Sequence, residues 1–129
     1  MTDEYKGLKI LIVEDDDMLL TALEKQFSSV GFTVVTARDG NEGFEKFFSE
    51  NPDAVVLDMM MPRKNGTEML KEIHEKAPQD TTPCIILSNA NDMDKVTSAV
   101  DSKATAYLVK SEWQLTDIVQ MVAKQIKKK

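Results

Sequence analysis

The sequence predicts an α/β domain: a doubly wound, five-stranded parallel sheet with helices on both faces. Three observations predict it. Five short apolar runs are spread along the chain, stretches of helical periodicity lie between them, and three of the runs are apolar at every position rather than at alternate ones. A strand covered by helices on both sides has no polar face, so a continuous apolar run is what it requires.

The first run, Ile10-Leu11-Ile12-Val13, is of this continuous kind. A helical stripe follows at Leu20, Leu23, Phe27 and Val30, and Gly31 can close it in a left-handed cap. The second run, Thr33-Val34-Val35-Thr36, is framed by threonines, which suits an edge strand. The second helix carries Phe44, Phe47 and Phe48 and stops before Pro52. After the third run, Ala54-Val55-Val56-Leu57, a helix with Leu70 and Ile73 stops before Pro78. The fourth run is Cys84-Ile85-Ile86-Leu87, followed by a weaker helical segment from about Asp92 to Ser102 with Val96 and Val100 inward. The fifth run, Ala106-Tyr107-Leu108-Val109, leads to a helix expected to start at Ser111, with Ser111 and Gln114 as a capping box, and to continue through Leu115, Ile118, Val122 and Ile126. Strand and helix alternate with short connections, so the strands run parallel. The predicted order is 2-1-3-4-5, the flavodoxin-like arrangement.

A chain of 129 residues, 42% hydrophobic and 29% charged, fits one domain over residues 1–129, with its core from about 8 to 126. The net charge of -6 opposes the phosphate backbone of nucleic acid, which speaks against direct nucleic-acid binding. No apolar stretch approaches the roughly 18 residues that span a membrane, and Met1 to Leu8 is too polar for a signal peptide. The lone Cys84 lies in an apolar run and reads as a buried thiol. Together these features predict a cytoplasmic protein.

In a parallel sheet every strand offers its carboxyl end at one edge, and ligands bind outside those ends. Glu14 and Asp15 follow the first run, Asp58 the third, Ser88 the fourth and Lys110 the fifth. Three carboxylates, a hydroxyl and an ammonium should therefore converge. Clustered carboxylates repel one another unless a cation or a proton sits among them, and Mg²⁺ suits an open site of carboxylates and a carbonyl. Asp16 and Asp17 read instead as helix N-terminal charges, and the single histidine, His74, as a solvent-facing helix residue rather than a ligand. Lys110 supplies a point charge for a phosphate or a carboxylate.

Val13-Glu14-Asp15-Asp16, Leu57-Asp58-Met59-Met60-Met61-Pro62 with Gly66 beyond it, Leu87-Ser88 and Tyr107-Leu108-Val109-Lys110 together resemble the receiver domain of two-component response regulators. The resemblance runs from about Leu8 to Ile126. It implies a signalling phosphoacceptor rather than an enzyme, with Asp58 the phosphoacceptor and nucleophile. It further implies Mg²⁺ held by Glu14, Asp15, Asp58 and the backbone carbonyl of Met60, with Lys110 and Ser88 on the phosphoryl oxygens. The implied donor is a phosphohistidine on a sensor histidine kinase or phosphotransfer protein, or a small acyl phosphate. Ser88 and Tyr107 would form the switch that reshapes the face of the fourth helix, fifth strand and fifth helix toward a downstream protein partner or a separate effector domain. Either a stand-alone regulator or a piece of a longer chain fits.

Ser111 departs from the pattern, since relatives usually place there a proline joined to the lysine by a cis bond. A cis bond before serine costs about 2.5–4 kcal/mol. Lys103-Ala104 stands where Gly-Ala is frequent, and Asn89 where a small residue is usual. Met60 and Ala90 cannot orient a water strongly, which predicts slow self-dephosphorylation. Three other readings compete. A flavodoxin-like carrier would need a neutral phosphate loop where Glu14-Asp15-Asp16-Asp17 stands, and an aspartyl phosphatase would need an acid where Met60 stands. A phosphorylation-independent receiver-like binding module is the third.

Overall fold

The computed structural model describes residues 5–61, 63–89 and 105–127. The elements are β1 (Lys9–Val13), α1 (Asp17–Ser29), β2 (Thr33–Ala37), α2 (Gly40–Glu50), β3 (Ala54–Asp58), α3 (Gly66–Lys76), β4 (Cys84–Ser88) and β5 (Ala106–Val109). A 3₁₀ turn over Lys110–Glu112 and a last helix over Leu115–Lys127 follow. The five apolar runs form one parallel sheet in the order β2-β1-β3-β4-β5, the flavodoxin-like order expected. β2 is an edge, and it is the least buried of the first four strands.

The continuous apolar runs are explained by the two layers they face. Ile10, Ile12, Val56, Ile85 and Leu87 pack with Leu20, Leu23 and Phe27 of α1 and Ile118, Val119 and Val122 of the last helix. Their neighbours Leu11, Val13, Val55, Leu57 and Ile86 pack with Phe47 of α2 and Met69, Leu70 and Ile73 of α3. Successive residues of a strand point to opposite faces, so a sheet buried twice needs apolar residues at every position.

The helix ends follow local chemistry. Asp16 caps α1, its carboxylate accepting from the amides of Met18 and Leu19, and Asp17 lies in the first turn, as expected for both. Gly31 has φ 108°, the left-handed conformation foreseen for it. Asp39 caps α2, and Asn65 with Glu68 forms a capping box on α3.

One expectation is corrected. The last helix does not start at Ser111, and the Ser111–Gln114 capping box does not form. Ser111 lies inside the 3₁₀ turn, which has no side-chain cap, and Trp113 is extended with φ −124° and ψ 136°. The Gln114 carbonyl accepts from the Asp117 and Ile118 amides, so helical bonding begins there. Trp113 packs partly buried against the core, and the extended backbone that seats it interrupts the helix. The Lys110–Ser111 bond is trans. The predicted segment 92–102 with Val96 and Val100, together with Ala90, Lys103 and Ala104, lies outside the described residues.

Candidate functional site

The parallel register brings the polar strand ends to one edge. Asp58 is the last residue of β3 and pairs with Leu87, while Ser88 ends β4 opposite Val109. Glu14 follows β1 directly, and its amide extends the ladder to the Ala37 carbonyl at 3.0 Å. Lys110 follows β5. Glu14, Asp15 and Asp58 offer carboxylate oxygens that all lie within 4.8 Å of one another, a group able to hold a metal ion. Lys110 Nζ lies 3.1 Å from Asp58 Oδ1 and 3.2 Å from Glu14 Oε1. Of the three acids Asp15 is exposed, whereas Glu14 and Asp58 are buried at 1% and 6% exposure.

Burial of like charges costs free energy, and it raises both buried acids. Glu14 is pushed up to about 7, first by burial and then by the Asp58 charge, against the Asp16 amide and Lys110. Asp58 is also raised, by burial, although Lys110, Glu14 and the Met60 amide hold it down. Burial works to lower Lys110, yet the two carboxylates outweigh it and the ammonium is held above its ordinary value. One cation among three acids leaves the cluster short of positive charge. A hard divalent ion, with oxygen ligands and room for water on the exposed Asp15 side, fits this donor set.

The other predicted residues take these places. The backbone amide of Met60 hydrogen-bonds the Asp58 carboxylate, and Met60 is 39% exposed. Ser88 is buried, and its Oγ has no hydrogen-bond partner among the described residues. Leaving a buried hydroxyl without a partner costs about 1–3 kcal/mol. Tyr107 is half-buried on β5 and packs on the α2–α3 side of the sheet. His74 is half-buried rather than solvent-facing, with Nδ1 2.8 Å from the Leu70 carbonyl one turn back. Cys84 is buried.

Two further residues that form an ion pair were not singled out from the sequence. Asp39 is buried and receives Arg63, whose Nη2 lies 2.7 Å from Asp39 Oδ2. Asp39 with Glu42 three residues on is a legible capping signal; its pairing with Arg63, 24 positions away, is not.

The sequence matches the response regulator receiver domain over residues 10–123. The chain belongs to this family. It is 34% identical over 122 residues to the Regulator of RpoS of Escherichia coli (strain K12), covering 95% of this chain and 36% of that protein. It is 35% identical over 104 residues to the response regulator MprA of Mycobacterium ulcerans (strain Agy99), covering 81% of this chain and 44% of that protein. The chain thus spans less than half the length of either relative. Among solved structures, a response regulator receiver domain protein from Clostridium thermocellum superposes with a TM-score of 0.83 at 28% identity, covering 94% of this chain and 95% of that one. The chemotaxis response regulator CheY4 of Vibrio cholerae gives a TM-score of 0.82 at 24% identity, covering 92% of this chain and 98% of that one, and supports the fold alone.

Receiver domains are parts of signalling proteins rather than classical enzymes; they generally depend on Mg²⁺ and take phosphoryl groups from kinases. No described helix of this receiver domain is long and apolar enough to cross a membrane.

Proposed function

We propose that this receiver domain, a single domain over residues 1–129, accepts a phosphoryl group on Asp58 in a Mg²⁺-dependent step. The carrying observation is the convergence of the Glu14, Asp15 and Asp58 carboxylates within 4.8 Å of one another, with the Lys110 ammonium 3.1 Å from Asp58 Oδ1. Glu14, Asp15, Asp58 and the Met60 carbonyl would hold the ion. When bound, Mg²⁺ supplies positive charge to the equatorial oxygens of the transferring phosphoryl group.

The chain's own residues do the rest. A carboxylate oxygen of Asp58 attacks phosphorus, and the bond to the donor nitrogen or acyl oxygen breaks, leaving an aspartyl phosphate. Burial strips the Asp58 carboxylate of water, and Lys110 keeps it available as the anion while providing an ammonium for the incoming oxygens. The Ser88 hydroxyl, without a hydrogen-bond partner among the described residues, would donate to the phosphoryl group. Movement of Ser88 toward the phosphoryl group, followed by Tyr107, would form the switch and signal along β5. The donor is a phosphohistidine on a sensor histidine kinase or histidine phosphotransfer protein. The output passes to a downstream protein partner or a separate effector domain, and the setting is the cytoplasm. Met60, a thioether beside Asp58, cannot orient an attacking water strongly, so the phosphoaspartate should be long-lived.

Incubation with an acyl phosphate and Mg²⁺ tests the reading. Intact-mass measurement is expected to show a gain of one phosphoryl group, lost in Asp58→Ala and on chelation of the metal. No mass gain in folded protein would overturn it.

A further inference from the structure

We propose that Asp39 and Arg63 are positioning residues for the divalent-cation site, holding the β3–α3 loop so that the Met60 backbone faces Glu14, Asp15 and Asp58. The proposal rests on the metal-binding reading above.

Four polar or charged side chains are buried among the described residues: Glu14, Asp58, Ser88 and Asp39. The first three belong to the acidic site. Asp39 does not, and a buried carboxylate persists only with good partners. Its Oδ1 accepts from the Glu42 amide at 2.8 Å, which is enough to cap α2. Its Oδ2 is engaged separately, by Arg63 Nε at 2.9 Å and Nη2 at 2.7 Å. Capping therefore does not account for the arginine. Burial does not either, since the Arg63 side chain is 67% exposed.

Arg63 reaches Asp39 from an uncommon backbone. Its φ is 66°, the left-handed region that a non-glycine residue keeps only where its surroundings over-determine it. A second tie lies next to it: the Gly40 amide donates to the Lys64 carbonyl at 3.0 Å. A Cβ on Gly40 would overlap that carbonyl, so α2 and the loop meet backbone to backbone. On the strand side the Met59 amide donates to the Leu87 carbonyl at 2.9 Å, and the Gly66 amide to the Met59 carbonyl at 2.9 Å.

Met60 is thus carried between two anchors, one on the sheet and one on the start of α2. Its amide already bonds Asp58, and its carbonyl is a proposed ligand. Groups that hold a ligand from behind set its direction, and their loss commonly weakens metal binding by about 10–100-fold. Release of Arg63 would let the loop leave its register, so the cost falls on the cation.

Calorimetric titration of Mg²⁺ into the unphosphorylated protein tests this. Arg63→Ala and Asp39→Asn are each expected to weaken binding by about tenfold. The double variant is expected to be no weaker than either alone, because both break one contact. Glu50→Gln, which breaks an ion pair to Lys9 at the amino end of β1, is expected to bind as the parent does. An Arg63→Ala protein with parental near-ultraviolet circular dichroism and a dissociation constant within about twofold of the parent would overturn the inference while leaving the metal site standing. If Asp39→Asn fails to fold, Arg63→Ala decides, its side chain being largely exposed. A parent that binds no Mg²⁺ would sink the metal-binding reading, and this inference with it.

Discussion

Without a metal, this domain should lose stability as pH rises from about 4.5 to about 7, because Glu14 titrates there. Below 4.5 the carboxyl is protonated in both the folded and the unfolded chain, and its contribution to stability is fully present. Between 4.5 and about 7 the unfolded chain gives up the proton while the folded chain keeps it. Above that the buried carboxylate must coexist with Asp58, and the contribution is gone. A rise from 4.5 to about 7 corresponds to about 3 kcal/mol, with a slope approaching 1.4 kcal/mol per pH unit. Asp58, also raised by burial, acts in the same direction. Asp39 and Glu42 are held below their ordinary values by backbone amides, so their contributions are lost only in more acidic solution. Urea denaturation in EDTA, followed by far-ultraviolet circular dichroism between about pH 5 and pH 8, reads the effect. Saturating Mg²⁺ should flatten the fall, since the ion binds the deprotonated site and stabilises the folded state. Glu14→Gln should reduce it even in EDTA, leaving the smaller part that Asp58 contributes. Stability that stays level or rises with pH in EDTA, or a slope undiminished in Glu14→Gln, would refute the reasoning.

Further outcomes are expected from single substitutions. Ser88→Ala removes a buried hydroxyl that has no partner among the described residues, so the melting temperature should stay level or rise, while phosphorylation by an acyl phosphate slows. Lys110→Ala leaves Glu14 and Asp58 facing each other and should cost about 3 kcal/mol in EDTA at alkaline pH, most of it recovered with Mg²⁺ in the same urea titration. Gly66→Ala would set a Cβ 2.5 Å from the Asp58 carbonyl oxygen, and the shift forced on that backbone should cost about 1–3 kcal/mol and weaken Mg²⁺ binding. Phe27→Ala, in the α1 layer of the core, should cost about 3–5 kcal/mol by urea denaturation and leave Mg²⁺ binding close to parental in protein that remains folded.

The sheet and the composition of its acidic edge were legible in the sequence. Ile10 to Val13 and Ala54 to Leu57 are apolar at every position because each strand is buried on both faces, and their shortness and the helical stretches between them separate this pattern from that of a buried helix. Since every strand runs the same way, the residue after each run was bound for one edge, and Glu14, Asp15, Asp58 and Lys110 could be named as neighbours without coordinates. The Ser111 helix start failed for a local reason. A serine followed three residues later by a glutamine satisfies the capping rule, but the rule has no knowledge of Trp113, which seats on the core in an extended conformation.

What only the tertiary structure decided is how these charges are held. Sequence placed Glu14 beside Asp58; the fold buried Glu14 almost completely, which with the Asp58 charge raises its carboxyl, and left Asp15 exposed. Asp39 and Arg63 were not singled out in the sequence, and the fold joined them 24 positions apart. Hydrophobic periodicity is a property of neighbouring residues and is written along the chain. Desolvation and ion pairing depend on distances between residues remote in sequence, and those exist only once the chain has packed.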